Sequence, residues 1–385
     1  MGLKKYGCMP TARMQMFYMT AGYPDLGILD FSTRGHAVFN YGHLGWTNPM
    51  SAAENLFSAQ VSEADLITGS SKKLFAAVEE MMERGYRHIF LMPSSISEVM
   101  GIDLEGYASE VREQTGADIF TVKAKLNGDF YQGAEALYTA LARRFADSCT
   151  PEPRTYNILG GHRYADGVNH GYLVQRMAEL GMRLNVDVQN SPTFGDLERL
   201  PLGQINIVTN DYAVKAAEML KKRNGTPYLC FHALSMETED RFLSSVARLV
   251  GVEAPAAEPD RQYEMLTQQL RNILSVADRE LLCYADVDML RALEGFFEGL
   301  GCPATYLCSH QKSRYPYAEP EEVITGCGDR LLLSYDSICN HVPNSIPIDE
   351  SGLVYQLHIP VQDHTVGKEG AYRLIRSIGQ TLLQK

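Results

Sequence analysis

Residues 72–92 read KKLFAAVEEMMERGYRHIFLM, and two periods meet inside that stretch. From Lys72 to Arg84 the pattern is amphipathic with helical spacing. Gly85 then stops the helix, because glycine takes the left-handed conformation that ends one, and His88–Met92 follows as an apolar run of strand length. Helix, glycine and buried strand are the repeating parts of a βαβ unit around a parallel sheet.

Outward from there the same alternation continues. Asp103 precedes a predicted helix from Leu104 to Thr115, Gly116 ends it, and Asp118–Val122 reads as the next strand. A helix from Phe130 to Ala146 closes this first unit. Cys149-Thr150-Pro151-Glu152-Pro153 is a proline-bearing break, after which Tyr156–Leu159 runs into Gly160 and Gly161. The second unit then predicts a helix to Leu180, strands Met182–Val188 and Ile205–Val208, a helix Tyr212–Arg223, a strand Tyr228–Phe231 and a helix Glu237–Val250. A second break, Glu253–Pro259, leads into a connecting helix Arg261–Val276. Beyond it a third unit places strands at Glu280–Tyr284 and Ala304–Leu307 around a helix ending at Leu300.

The expected fold class is therefore α/β: three Rossmann-like, doubly wound parallel-sheet domains in series, divided as 1–150, 151–255 and 256–385. Such sheets bind ligands beyond the carboxyl ends of their strands, so function is expected between the domains.

Composition narrows the partners. The chain has 385 residues, 45% hydrophobic and 21% charged, which excludes disorder and collagen. Thirty-five Lys and Arg against 47 Asp and Glu give a net charge of −12, and no local basic patch offsets it, so no nucleic-acid partner is expected. No apolar run reaches the roughly 18 residues of a membrane span. Lys4 and Lys5 precede a partly apolar stretch, but Arg13 and Gln15 interrupt it and it lacks a small-x-small cleavage site, so no signal peptide is expected. Eight cysteines scattered along a long chain point to a reducing, cytoplasmic setting. Gly69-Ser70-Ser71-Lys72 lacks the spacing of a P-loop, so no ATP site is expected, and Gly160-Gly161-His162 is only a fragment of a dinucleotide fingerprint.

One set of landmarks is more specific. Ser62–Gly69, Lys72-Lys73-Leu74, the strand Ile89–Pro93 and Glu98-Val99-Met100-Gly101-Ile102-Asp103 together resemble nitrogenase component 1. Cys8-Met9-Pro10 resembles that family's first cysteine turn, and Gly35-His36-Ala37 stands where the family has Gly-Cys-Ala. Asn157–Gly160, Asn206–Val208, Gly225–Tyr228, Ile359-Pro360, Asp363, Gly367, Gly370 and Ala371 match later landmarks, so the resemblance covers nearly the whole chain.

The resemblance implies an oxidoreductase subunit that pairs with a paralogous component 1-like subunit or with itself. It would take electrons from a separate ATP-dependent iron-sulfur reductase and reduce a small molecule between domains. It also implies an iron-sulfur cluster at positions that here fall on Cys8, His36 and Ser95, of which only Cys8 is a thiolate donor. A partner could supply the missing ligands, the three could hold an unusual cluster, or the cluster could be gone. The cysteine that holds the active cofactor in true nitrogenases falls near Asn210, and with Asp211 beside it this is a poor soft-metal site, which argues against nitrogen reduction. A non-catalytic paralogue, a cofactor scaffold or a protein that sequesters a metal cofactor or tetrapyrrole is the competing class.

Two further groups of candidates follow. Cys308-Ser309-His310 ends one predicted strand and Cys339-Asn340-His341 follows another; since residues i and i+2 share a face in extended backbone, Cys308, His310, Cys339 and His341 could together bind zinc or iron. They could equally be buried thiols beside locally bonded histidines. His162, His170, His232, His358 and His364 are cleft candidates, with His364 and Asp363 as expected proton donors, and Arg34 and Arg163 suit an anionic group.

Overall fold

One strand order occurs three times. A computed structural model describes residues 11–33, 54–69, 71–126, 128–146, 149–161, 167–254, 256, 259–277, 279–311, 313–349 and 365–383. Cys8, Arg34, His36, His162, Arg163, His358, Asp363 and His364 lie outside the described residues.

In the first sheet, β1 (Leu26–Asp30) is flanked by β2 (Leu56–Ser58) and β3 (His88–Met92), with β4 (Asp118–Phe120) beyond β3. In the second, β5 (Glu152–Leu159) lies between β6 (Arg183–Asp187) and β7 (Gly203–Val208), with β8 (Tyr228–Cys230) outside β7. In the third, β9 (Leu281–Ala285) lies between β10 (Ala304–Cys308) and β11 (Leu331–Tyr335), with β12 (Ser345–Asp349) outside β11. Every pairing within these strands is parallel. The first strand of each set is central and the chain leaves it in both directions, so each sheet has a switch point between its first and third strands.

The helices form where the sequence supplies their ends. Before the first sheet lies α1 (Ala12–Ala21), and between β2 and β3 lie α2 (Glu63–Thr68) and α3 (Ser71–Glu83). α4 (Ser95–Val99) and α5 (Leu104–Thr115) follow β3; Asp103 accepts from the Gly106 amide and Gly116 closes α5 at φ 70°. α6 (Phe130–Arg144) precedes the second sheet, whose helices are α7 (Gly167–Glu179), α8 (Val214–Asn224) and α9 (Met236–Val250). α10 (Arg261–Ala277) leads to the third sheet and its α11 (Val287–Leu300), α12 (Pro320–Gly326) and α13 (Asp336–Cys339). The last, α14 (Gly367–Leu383), returns to pack on α9, α10 and β12.

The sequence pattern gives no warning of α1. Eight of its ten residues are buried, so it has no polar face from which a period could be read, and the N-terminal apolar stretch is a core helix seated on α6. That crossing requires glycine. A Cβ on Gly133 would sit closer to the backbone carbonyl of Ala12 than the 3.0 Å that real Cβ atoms keep. Gly133→Ala should therefore destabilise the chain by about 3 kcal/mol through overpacking, read as a lower denaturant midpoint with an unchanged slope. An unchanged midpoint would mean that the helices slide apart at no cost.

No described helix is long and apolar enough to cross a membrane.

Candidate interdomain site

The carboxyl ends of β5 and β7 meet the carboxyl end of β9 across the interface between the second and third sheets. Gly160 makes the approach close: at φ 123° and with Thr209 Oγ1 and the Asn210 amide against its α-carbon, it has no room for a side chain. Asn210 follows β7, accepts the Gly161 N–H, and donates through Nδ2 to Asp288 Oδ2 at 3.2 Å. Asp288 Oδ1 accepts the Asp211 amide at 2.7 Å, and Arg291 Nη1 donates to Asp211 Oδ1 at 2.5 Å. Two residues from the second sheet and two from α11 thus bolt the sheets together. Asp286, the N-cap of α11, accepts the Asp288 and Met289 amides and is held by the Tyr335 hydroxyl at 3.2 Å.

These residues surround a cavity of ≈ 80 Å³ lined by Asn169, His170, Asn210, His232, Asp286 and Asp288 among others. Its electrostatics are acidic. Burial pushes the Asp288 carboxyl well above the ordinary range, and the neighbouring charges of Asp286 and Asp211 push the same way. His232 sits between two carboxylates, 3.5 Å from Asp211 and 3.8 Å from Asp288, and its Nε2 is buried without a hydrogen bond.

On the opposite wall, His170 is held by Asp187 at the end of β6: Nδ1 lies 2.7 Å from Asp187 Oδ2, with both side chains buried. A carboxylate only accepts, so the Nδ1 proton is assigned to this bond, leaving Nε2 toward the cavity, 3.4 Å from Thr209 Oγ1. Burial raises the Asp187 carboxyl, but the His170 charge and the bonds from His170 and Asn190 outweigh it and leave it below its usual value. A larger groove of ≈ 580 Å³, lined by Asp187, Asn190, Ser191 and Arg199, lies on the outer side of the same histidine.

The Cys308, His310, Cys339 and His341 set does not form. Cys339 lies on α13, where i and i+2 point apart, and β9 and β11 separate it from Cys308. Among the described residues no three of these four bring ligand atoms within 4.8 Å of one another. His310 instead stacks on Tyr131 at 4.4 Å and accepts the Val287 amide, while Cys339 bonds Ser334 O and His341 is exposed. Burial holds the Cys308 and Cys339 thiols up at about 11, so both stay protonated at neutral pH.

Sequence reasoning missed a third copy of the same pattern. Cys230-Phe231-His232 extends β8, Phe231 N–H bonds Val208 O at 2.8 Å, and Asp211 stands beside them. Asp211, Cys230 and His232 are the described group whose ligand atoms all lie within 4.8 Å.

Ser95 is half-buried in the first turn of α4, behind Ser94, which caps that helix. Its hydroxyl offers no thiolate, so Ser95, the member of the expected cluster set that lies among the described residues, is a poor iron-sulfur ligand.

Against known proteins, residues 18–337 match the family model described as nitrogenase component 1 type oxidoreductase. The chain belongs to that family. Among nitrogenase component 1 type relatives it is 26% identical over 203 residues to the nitrogenase iron-molybdenum cofactor biosynthesis protein NifE of Clostridium pasteurianum, covering 52% of this chain and 44% of that protein. It is 22% identical over 264 residues to a light-independent protochlorophyllide reductase subunit of Gloeobacter violaceus, covering 63% and 52%. The chain spans about half the length of the curated relatives it matches. Its fold matches the structure titled "Nitrogenase Cp1 at pH 6.5" with a TM-score of 0.74 and 15% identity, over 100% of this chain and 94% of that one. The three-sheet architecture is thus the nitrogenase component 1 fold.

Proposed function

We propose that the chain is a subunit of a nitrogenase-like oxidoreductase that reduces a small molecule in the cavity between the second and third sheets. Its electrons would come from a separate ATP-dependent iron-sulfur reductase. The observation that carries this is the buried His170–Asp187 pair facing a small polar cavity at the facing ends of two sheets. An ≈ 80 Å³ cavity admits a molecule of a few heavy atoms, not one that needs the ≈ 300–1,000 Å³ of larger ligands. His170 would hold a proton at Nε2, and Asn210 and Asp288 would orient the ligand.

Ser95 supplies no thiolate, so an iron-sulfur cluster would be shared: Cys8 and His36 from this chain, the rest from a paralogous subunit or a second copy. His364 and Asp363 stay candidate proton donors; Thr365, the residue that follows them in the chain, lines the same cavity. The cytoplasm suits seven described cysteines that are all free.

A second reading, a non-catalytic paralogue or cofactor scaffold, is favoured by the likeness to a relative whose name gives it a role in iron-molybdenum cofactor biosynthesis. Electron uptake separates the two. The chain, purified without oxygen together with its partner subunit and mixed with the reductase, should oxidise reduced reductase only when ATP is present. Cofactor bound and released with no ATP-dependent electron uptake would establish the scaffold.

A further inference from the structure

We infer that Asp211, Cys230 and His232 form a mononuclear binding site for a divalent transition metal, with zinc as the best-suited ion.

Two elements build it. β8 runs extended, so Cys230 and His232 share a face, and the turn after β7 carries Asp211 against them. One sulfur, one imidazole nitrogen and one carboxylate oxygen lie within 4.8 Å of one another. This is the donor mixture that zinc takes, and three protein ligands leave a fourth tetrahedral position for water or a ligand. His232 itself lines the interdomain cavity.

Two independent observations point to a cation at this place. His232 Nε2 is buried with no hydrogen bond, although two carboxylates stand within 4 Å of the ring. A buried ring nitrogen without a partner is costly, and a metal satisfies it. The second is charge. Asp211 and Asp286 bring carboxylates to this junction beside the Asp288 carboxyl, and among the described residues Arg291 is the guanidinium bonded to one of them, Asp211. A divalent ion balances that excess where water cannot screen it.

Arg291 is the natural rival for the site, since its bond to Asp211 accounts for one carboxylate oxygen. A carboxylate offers about four acceptor positions on two oxygens, so this bond does not exhaust it. Burial, with Asp211 adding to it, pushes the Cys230 thiol up to about 11, and the metal would displace that proton on binding. No electron transfer is involved: a thiol proton is released to solvent and a metal–sulfur bond forms.

Cobalt(II) is the probe, because its thiolate complexes absorb where the protein alone does not. The full chain, stripped of metal with a chelator under nitrogen, should bind one equivalent of Co²⁺ with a thiolate-to-cobalt charge-transfer band that Zn²⁺ abolishes. Cys230→Ser should lose that band, whereas Cys8→Ser and Cys339→Ser should keep it. His232→Gln and Asp211→Asn should each weaken binding by more than about tenfold, the scale that even outer partners of a metal carry. Arg291→Gln should tighten it, because the rival cation is gone. Far-ultraviolet circular dichroism checks that the variants fold; if Cys230→Ser does not, the His232 and Arg291 pair still decides. Absence of the band, its survival in Cys230→Ser, or weaker binding in Arg291→Gln would overturn the site. None of these outcomes depends on electron uptake from a reductase, so failure here leaves the oxidoreductase reading standing, and the reverse.

Discussion

Replacing Glu239 with alanine should cost the chain about 3–5 kcal/mol, among the largest losses expected from a single site. Glu239 is buried on α9, yet it carries a charge. Its carboxylate accepts from Arg176 Nε and from the Tyr172 hydroxyl, both at 2.5 Å, and from the Lys368 amide at 2.8 Å. Arg176 and Tyr172 belong to α7 and Lys368 to the first turn of α14, so one side chain ties three helices. The negative charge also sits at the amino end of α14, where the helix dipole favours it. Alanine would leave the Tyr172 hydroxyl and the Lys368 amide without this acceptor and the Arg176 guanidinium partly unpaired. Gly367 shows how tight the junction is, for at φ 64° its α-carbon lies against the Tyr172 ring and Glu239 Oε2 and no side chain fits. Glu239→Gln keeps the shape and one acceptor and should cost less, about 2 kcal/mol. Equilibrium denaturation gives the totals, and hydrogen exchange should show residues 367–383 losing protection first. Equal protection across α14 in wild type and Glu239→Ala would show that other contacts hold the helix.

What can be read in advance follows a physical division. β3 and β9 announce themselves because a strand buried on both faces reads as an apolar run, and α5 and α9 because Asp103, Gly116, Ser235 and Gly251 mark their ends. α1 escapes such a reading, since a helix buried all round carries no period. The site divides the same way. His232 and Asn210 are nameable as polar residues just past strand ends, and His170 as a histidine on the helix that follows β5. Asp288 is not, because an acid in the first turn of a helix reads as a favourable start, while here it reaches across to the second sheet. The Cys-x-His pattern occurs three times, and local sequence cannot say which copy converges. Only the parallel pairing of β7 with β8, two strands that α8 separates in the chain, brings Asp211 to Cys230-Phe231-His232. Cys339-Asn340-His341 fails for the opposite reason, a helix turn where extended backbone is expected.

Asp187→Asn should lower the rate of any proton-coupled reduction in the cavity by about 10²–10⁴-fold, the range a positioned acid or base supplies. His170 stands between two spaces: the inner cavity, which its ring lines beside Thr209 and Asn210, and the outer groove of ≈ 580 Å³ that Asp187 and Asn190 also line. A ring in that place can deliver a proton inward from Nε2 and recover one through the groove, but only if Asp187 fixes its orientation and tautomer. Asparagine removes the negative charge that supports an imidazolium, so the step that charges His170 becomes harder while binding in the cavity changes little. The expected signature is a fall in kcat with KM nearly unchanged, together with an altered acid limb of the pH profile; His170→Gln should match it and the double variant should add nothing further. Stability gives a separate readout. Because the Asp187 carboxyl is lower in the folded than in the unfolded chain, its stabilisation is complete above its unfolded value near pH 4 and is lost as the pH falls through the folded one. Asp187→Asn should lose that stabilisation at neutral pH and flatten the acid side of the curve. If kcat holds in Asp187→Asn while the acid dependence flattens as described, the pair is a structural ion pair and the proton reaches the cavity by another route.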